Sequence, residues 1–149
     1  MTYIADLAEP GAIKSVGYLA QGHDYPQGHV PEEVFDRLVK LVTLHILTWM
    51  GYHNCDLDPC GSNQLQPEFQ YRGLVIPRKC SSDILVPDKG VVFMAPSLIL
   101  HYIRCHHYLP PTSFLDAVRN CPEPGSKEYF VVVQKVWPTN IFPWPCLWS

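Results

Sequence analysis

The chain of 149 residues has no run of basic residues and a net charge of −3. Phosphate neutralisation is therefore not its business, and a nucleic-acid binder held by backbone charge is not expected. No apolar stretch approaches the ~20 residues that a membrane-spanning helix needs. Glycines number nine against fifteen prolines, and no glycine-rich loop of the kind that cradles nucleotide phosphates occurs. Internal repeats and low-complexity tracts are missing too. The first ten residues carry Asp6 and Glu9 and no basic-then-apolar leader, so the expected location is cytoplasmic.

What is present is a composition able to build a core. Apolar residues make up 47% and charged residues 17%, as in a globular domain slightly poor in charge. Fifteen prolines predict short elements, because proline fixes φ and donates no backbone hydrogen bond. Ile13–Leu19 alternates as a short strand, and residues 21–30 read as a loop carrying His23 and His29. Pro31-Glu32-Glu33 opens a helix whose stripe is Val34, Phe35, Leu38, Leu41 and Val42. Residues 44–52 are β-branched and aromatic, which predicts a buried strand, with one long helix as the competing reading. Leu74-Val75-Ile76 suggests a brief strand. Asp83–Val86 and Val91–Ala95 around Asp88-Lys89-Gly90 predict a hairpin. A helix opened by Pro96 and running to His106 follows, then a second over Thr112–Asn120. Residues 129–137 fit a strand or a short terminal helix. The expected architecture is a single compact α+β domain over residues 1–137, with a small mixed or antiparallel sheet and about three helices. An aromatic, proline-rich tail, residues 138–149, completes the chain.

Chemistry concentrates in two runs, Gly51–Cys60 and His101–Tyr108. Together they hold four of the seven histidines and three of the six cysteines. An even cysteine count raises a disulfide framework, but without a secretory leader reduced thiols are expected. At the end of the 44–52 strand, His53 and Cys55 are two residues apart and on an extended segment face the same side. His-x-Cys is a metal-ligand pair, or a thiol with a neighbouring imidazole. Cys60 lies five residues beyond Cys55, a C-x4-C spacing at the upper edge of the usual knuckle rule, where the chain could turn back and supply a third sulfur; the Asp58-Pro59 insertion argues against a knuckle complete in itself. On the later helix, His101 and Cys105 are at i and i+4 and reach one point. His101 and His106 are about 140° apart on an ideal helix, so sharing a ligand calls for the last turn to unwind. A core histidine, or a last-turn histidine facing the helix dipole, is the plainer role for these residues. Arg72, Arg78 and Lys79 put positive charge beside Cys80, which can activate a thiol; an ordinary loop cysteine is the plainer reading.

Four pieces carry a resemblance to a family of small bacterial proteins. They are Val16–Leu19 with Gly22-His23, Met50–Leu57, Leu85–Pro87 through Val92–Pro96, and His101-Tyr102-Ile103 with His106, Tyr108, Pro110-Pro111 and Phe114. The family pattern looks like G-W-H-x-C-E-L-C, with a second cysteine three after the first. Here that position is Asp58, and cysteine comes two residues later as Cys60. The resemblance implies one compact domain and leaves His53, Cys55, His101 and His106 as the positions shared with the pattern. It supplies neither reaction nor ligand.

Three functions follow as expectations. The first is a metal site, zinc by its mixed sulfur and imidazole ligands, built from His53, Cys55, His101 and His106 and joining a strand end to a helix. The second is a non-catalytic interaction protein, of inhibitor or immunity type, contacting a protein partner through the aromatic tail. The third is a thiol enzyme with Cys55 as nucleophile, His53 or His101 as base, and Asp56 or Asp58 orienting it.

Overall fold

Ile84-Leu85-Val86-Pro87 is buried throughout, and the rest of the chain is layered on it. In the computed structural model, which describes residues 3–57, 60, 69–77 and 79–142, this run is the inner part of the longest strand. The strands are β1 (Ile13–Ser15), β2 (Leu47–Asn54), β3 (Phe69–Tyr71), β4 (Leu74–Ile76), β5 (Lys79–Asp88) and β6 (Val91–Pro96). The helices are α1 (Glu32–Thr43), α2 (Ile99–His106), α3 (Thr112–Asn120) and α4 (Lys127–Gln134). A four-stranded sheet runs β1-β6-β5-β2, and β3-β4 form a separate pair. β1 lies parallel to β6, while β5–β6 and β2–β5 are antiparallel. The result is an α+β fold with a small mixed sheet.

β5 is central, so its inner half has no polar face to show and is continuously apolar. Helices α1, α3 and α4 pack against it. α1 begins where Pro31 and two acids predict, and Val34, Phe35, Leu38, Val39 and Leu41 are its buried stripe. Arg37 ties that helix to the end of α3, donating to the carbonyls of Val118 (2.7 Å) and Cys121 (2.5 Å). Residues 129–137, open between strand and helix by sequence, fall largely in α4. Ser126 caps it by accepting from the Tyr129 N–H.

Several expectations shift. The strand predicted from residue 44 starts at Leu47, because α1 runs to Thr43 and Leu44 caps it. His45 then turns the chain through φ +50°. β2 is an edge strand and none of its residues is fully buried; Met50 is 100% exposed. Its register with β5 breaks between Thr48 and His53, where Gly51 has φ +82°. That is the glycine-bearing bulge by which edge strands avoid extension. Pro96 does not open the helix but ends β6; α2 starts three residues later. Helices number four among the described residues, against about three expected, the fourth being α4 in the stretch that the sequence leaves open between strand and helix. Of the aromatic tail, Ile141 is buried and Phe142 lies 6.0 Å from the Phe130 ring. Residues 143–149, like Asp58, Pro59 and Arg78, lie outside the described residues.

Two carboxylates fix the N-terminal segment: Glu9, which accepts from the N–H (3.0 Å) and the hydroxyl of Ser15, and Asp6. Asp6 accepts from the Gly17 N–H (2.9 Å) and from the hydroxyl of the fully buried Tyr108 (2.7 Å). Asp6→Ala leaves both donors without that acceptor, and the cost of buried unpaired donors puts the loss at roughly 2–4 kcal/mol. Urea denaturation should show the lowered midpoint, and an unchanged midpoint would contradict this role for Asp6.

Candidate metal centre

β2 ends at Asn54, and the chain turns inward there. Cys55 and Leu57 are both buried, and Cys60 is buried as well. The β2 end is held to the start of β5 by the pairs His53↔Cys80 and Asn54↔Lys79. β5 leads through the hairpin into β6, and β6 leads into α2. The sheet thus brings the loop after β2 against the buried face of α2, which carries His101 and His106.

The four side chains Cys55, Cys60, His101 and His106 meet with their ligand atoms all within 4.8 Å of one another. His106 Nε2 lies 3.3 Å from Cys55 Sγ, 3.6 Å from Cys60 Sγ and 3.2 Å from His101 Nε2. Cys60 Sγ also lies 3.6 Å from His101 Nε2. All four residues are at most 7% exposed. An imidazole nitrogen has one lone pair or one proton, enough for one good hydrogen bond. Three heteroatom neighbours around a single Nε2 exceed that capacity and are what a shared centre produces. A zinc tetrahedron with Zn–S of about 2.3 Å and Zn–N of about 2.0–2.1 Å has N–N edges of about 3.3 Å and S–N edges of about 3.6 Å. The N–N contact and the two Cys60 contacts match those edges, and the Cys55–His106 contact, at 3.3 Å, is shorter.

Of the residues the sequence singled out, Cys55, His101 and His106 come together, and His53 does not join them. Its place is taken by Cys60. The same-side argument for His53 and Cys55 requires both to be in one strand, and β2 stops at Asn54. His53 stays in the sheet opposite Cys80, where burial lowers its pKa. His101 and His106 meet although His106 is still helical; α2 ends only at His107, in the left-handed conformation. Their rings converge beyond the helix surface, with centroids 5.0 Å apart. Cys105, half-buried, is not part of the group.

The electrostatics are those of a dry site. Burial pushes the Cys55 thiol up to about 12 and lowers the His106 pKa, so both neutral forms dominate without a cation. Burial likewise raises the pKa of Cys80, the opposite of activation. Its supposed cationic neighbours are engaged elsewhere: Arg72 pairs with Asp36 (3.2 Å), and Lys79 sits over the Tyr52 ring. The five described cysteines, Cys55, Cys60, Cys80, Cys105 and Cys121, are free. Tyr102, also on α2, is fully buried, and its hydroxyl has no hydrogen-bond partner among the described residues.

Fold and site together define an α+β domain with a buried Cys2His2 cluster able to hold a metal ion. The chain belongs to a family described as a domain of unknown function (DUF7919), whose family model matches residues 1–119. That span contains β1 to α2, all four cluster residues and most of α3. No curated protein and no solved structure matches the chain. None of the described helices is long and apolar enough to cross a membrane.

Proposed function

We propose that the protein is a zinc-binding domain in which Cys55, Cys60, His101 and His106 hold one structural ion. The observation that carries this reading is the crowding of three heteroatoms around His106 Nε2 at or just under tetrahedral edge distances. Two thiolates and two imidazoles form a borderline-soft donor set of the kind zinc takes tetrahedrally. Four protein ligands fill the tetrahedron and leave no open position for water or substrate, which separates a structural from a hydrolytic site. The ion joins the loop after β2 to α2, next to a β2–β5 pairing whose register is irregular.

A thiol enzyme on Cys55 is the weaker reading. A nucleophilic cysteine needs access and a lowered pKa, and Cys55 is 5% exposed with its thiol pushed upward by burial. Elemental analysis of the purified chain tests the zinc reading. One zinc per chain, retained through gel filtration, is the expected result. A folded protein that holds no metal, and takes up none from micromolar zinc, would overturn it.

A further inference from the structure

We infer that the cleft between the end of α1, β4, the start of β5 and α2 binds a small amphipathic carboxylate, its apolar chain inside the cleft and its charge toward Lys79 at the rim. The inference stands apart from the zinc reading, since none of the four cluster residues lines this cleft.

The cleft has a volume of about 380 Å³, within the range of small-molecule sites. It lies where β4, paired only with β3, stands beside the main sheet. Val39 and Val42 of α1, Ile76 of β4 and Leu100 of α2 form its walls. Val39, Ile76 and Leu100 belong to the buried core and still border open space. An apolar chain entering there removes its own surface and theirs from water.

The polar side chains at the cleft are few, and they offer hydrogens rather than negative charge. Lys79 and His45 are exposed at the rim. The Lys79 ammonium stands 4.7 Å from the centroid of the Tyr52 ring, a contact that places the cation without neutralising it. Lys79 makes no ion pair among the described residues, and no described carboxylate lines the cleft. Deeper in, Ser82 is 4% exposed and its Oγ lies 2.5 Å from Ser97 Oγ. Two hydroxyls carry two hydrogens and use one between them, so the pair keeps one hydrogen for an oxygen of the ligand. A cationic ligand would meet Lys79 as a like charge, and an inorganic anion would leave the apolar walls unused. An anion with an apolar body uses both.

The experiment follows backbone amide NMR shifts of the full chain titrated with octanoate, and separately with octan-1-ol as the uncharged counterpart. Octanoate is expected to give saturable shifts at Thr43, Ile76, Lys79 and Leu100, and to bind more tightly than octanol. Lys79→Gln is expected to weaken octanoate about five-fold, the scale of one exposed ion pair, and to leave octanol unchanged. Val42→Trp, which fills the cleft from α1, is expected to abolish both; its melting curve shows whether it is folded, and if it is not, the Lys79→Gln affinities decide alone. Shifts that do not saturate, or that fall away from the cleft, would overturn the inference. So would octanoate binding no tighter than octanol and indifferent to Lys79→Gln, or octanoate binding kept in folded Val42→Trp. A dimer in sedimentation, with cleft shifts that depend on protein concentration alone, would also overturn it by showing a second copy in the cleft.

Discussion

Zinc removal is expected to lower the thermal midpoint by about 10 °C. An ion that binds only the folded state adds RT ln(1 + [L]/Kd), about 4.1 kcal/mol when free zinc is a thousand times the dissociation constant. For a chain of this size each kcal/mol moves the midpoint by about 2–4 °C. The loss should be concentrated near the site. The loop after β2 has Leu57 as its described apolar anchor besides the two cysteines, and the β2–β5 register is already broken before His53. Without the ion, amide hydrogen exchange should rise around residues 53–57 and in α2, while β5 and β6 stay protected by the helices packed on the sheet. Melting with a zinc-selective chelator, then with zinc restored, checks the effect; magnesium should not substitute, since it prefers hard oxygen ligands. Identical melting curves in all three states would remove the structural role.

The second large effect separates Cys60 from His53. Apparent binding of structural zinc runs to about 10–16 kcal/mol, so one ligand of four carries about 3 kcal/mol, or over a hundred-fold in affinity. Cys60→Ser and His101→Ala should each abolish stoichiometric zinc at nanomolar free metal. His53→Ala should keep one zinc per chain, because His53 sits in the β2–β5 ladder and outside the cluster. Competitive titration of the three variants decides it. Metal lost in His53→Ala but kept in Cys60→Ser would restore the ligand set read from spacing alone.

That contrast also marks where sequence reasoning stops. The hairpin β5–β6, the start of α1, the extent of α3 and the strand nature of Leu74–Ile76 are legible from turn residues, proline placement and apolar periodicity, all local properties. The two chemical runs are legible as well, because a site with soft ligands needs histidine and cysteine in quantity. The end of β2 is not. Whether the chain remains extended from His53 to Cys55 depends on pairing with β5, whose partners Cys80 and Lys79 are 27 and 25 residues further along the chain, and that pairing ends at Asn54. A one-residue difference in where a strand ends changes which side chains face the core. Cys60 is at a knuckle spacing from Cys55, but spacing alone does not say whether the chain turns back far enough to bring its sulfur to the site. Here α2 supplies the other half of the site, and both cysteines of the loop reach it.

From the sequence alone come the donor types, and hence the soft, tetrahedral preference of any metal, together with the local elements that flank them. Tertiary structure alone decides which four donors share a centre. Coordination is a matter of a few ångströms between atoms far apart in the chain: Cys60 and His101 are 41 residues apart, and their ligand atoms are 3.6 Å apart. Those ångströms are set by how β2 ends, how β5 carries it to α2, and how the helix leans its two imidazoles together.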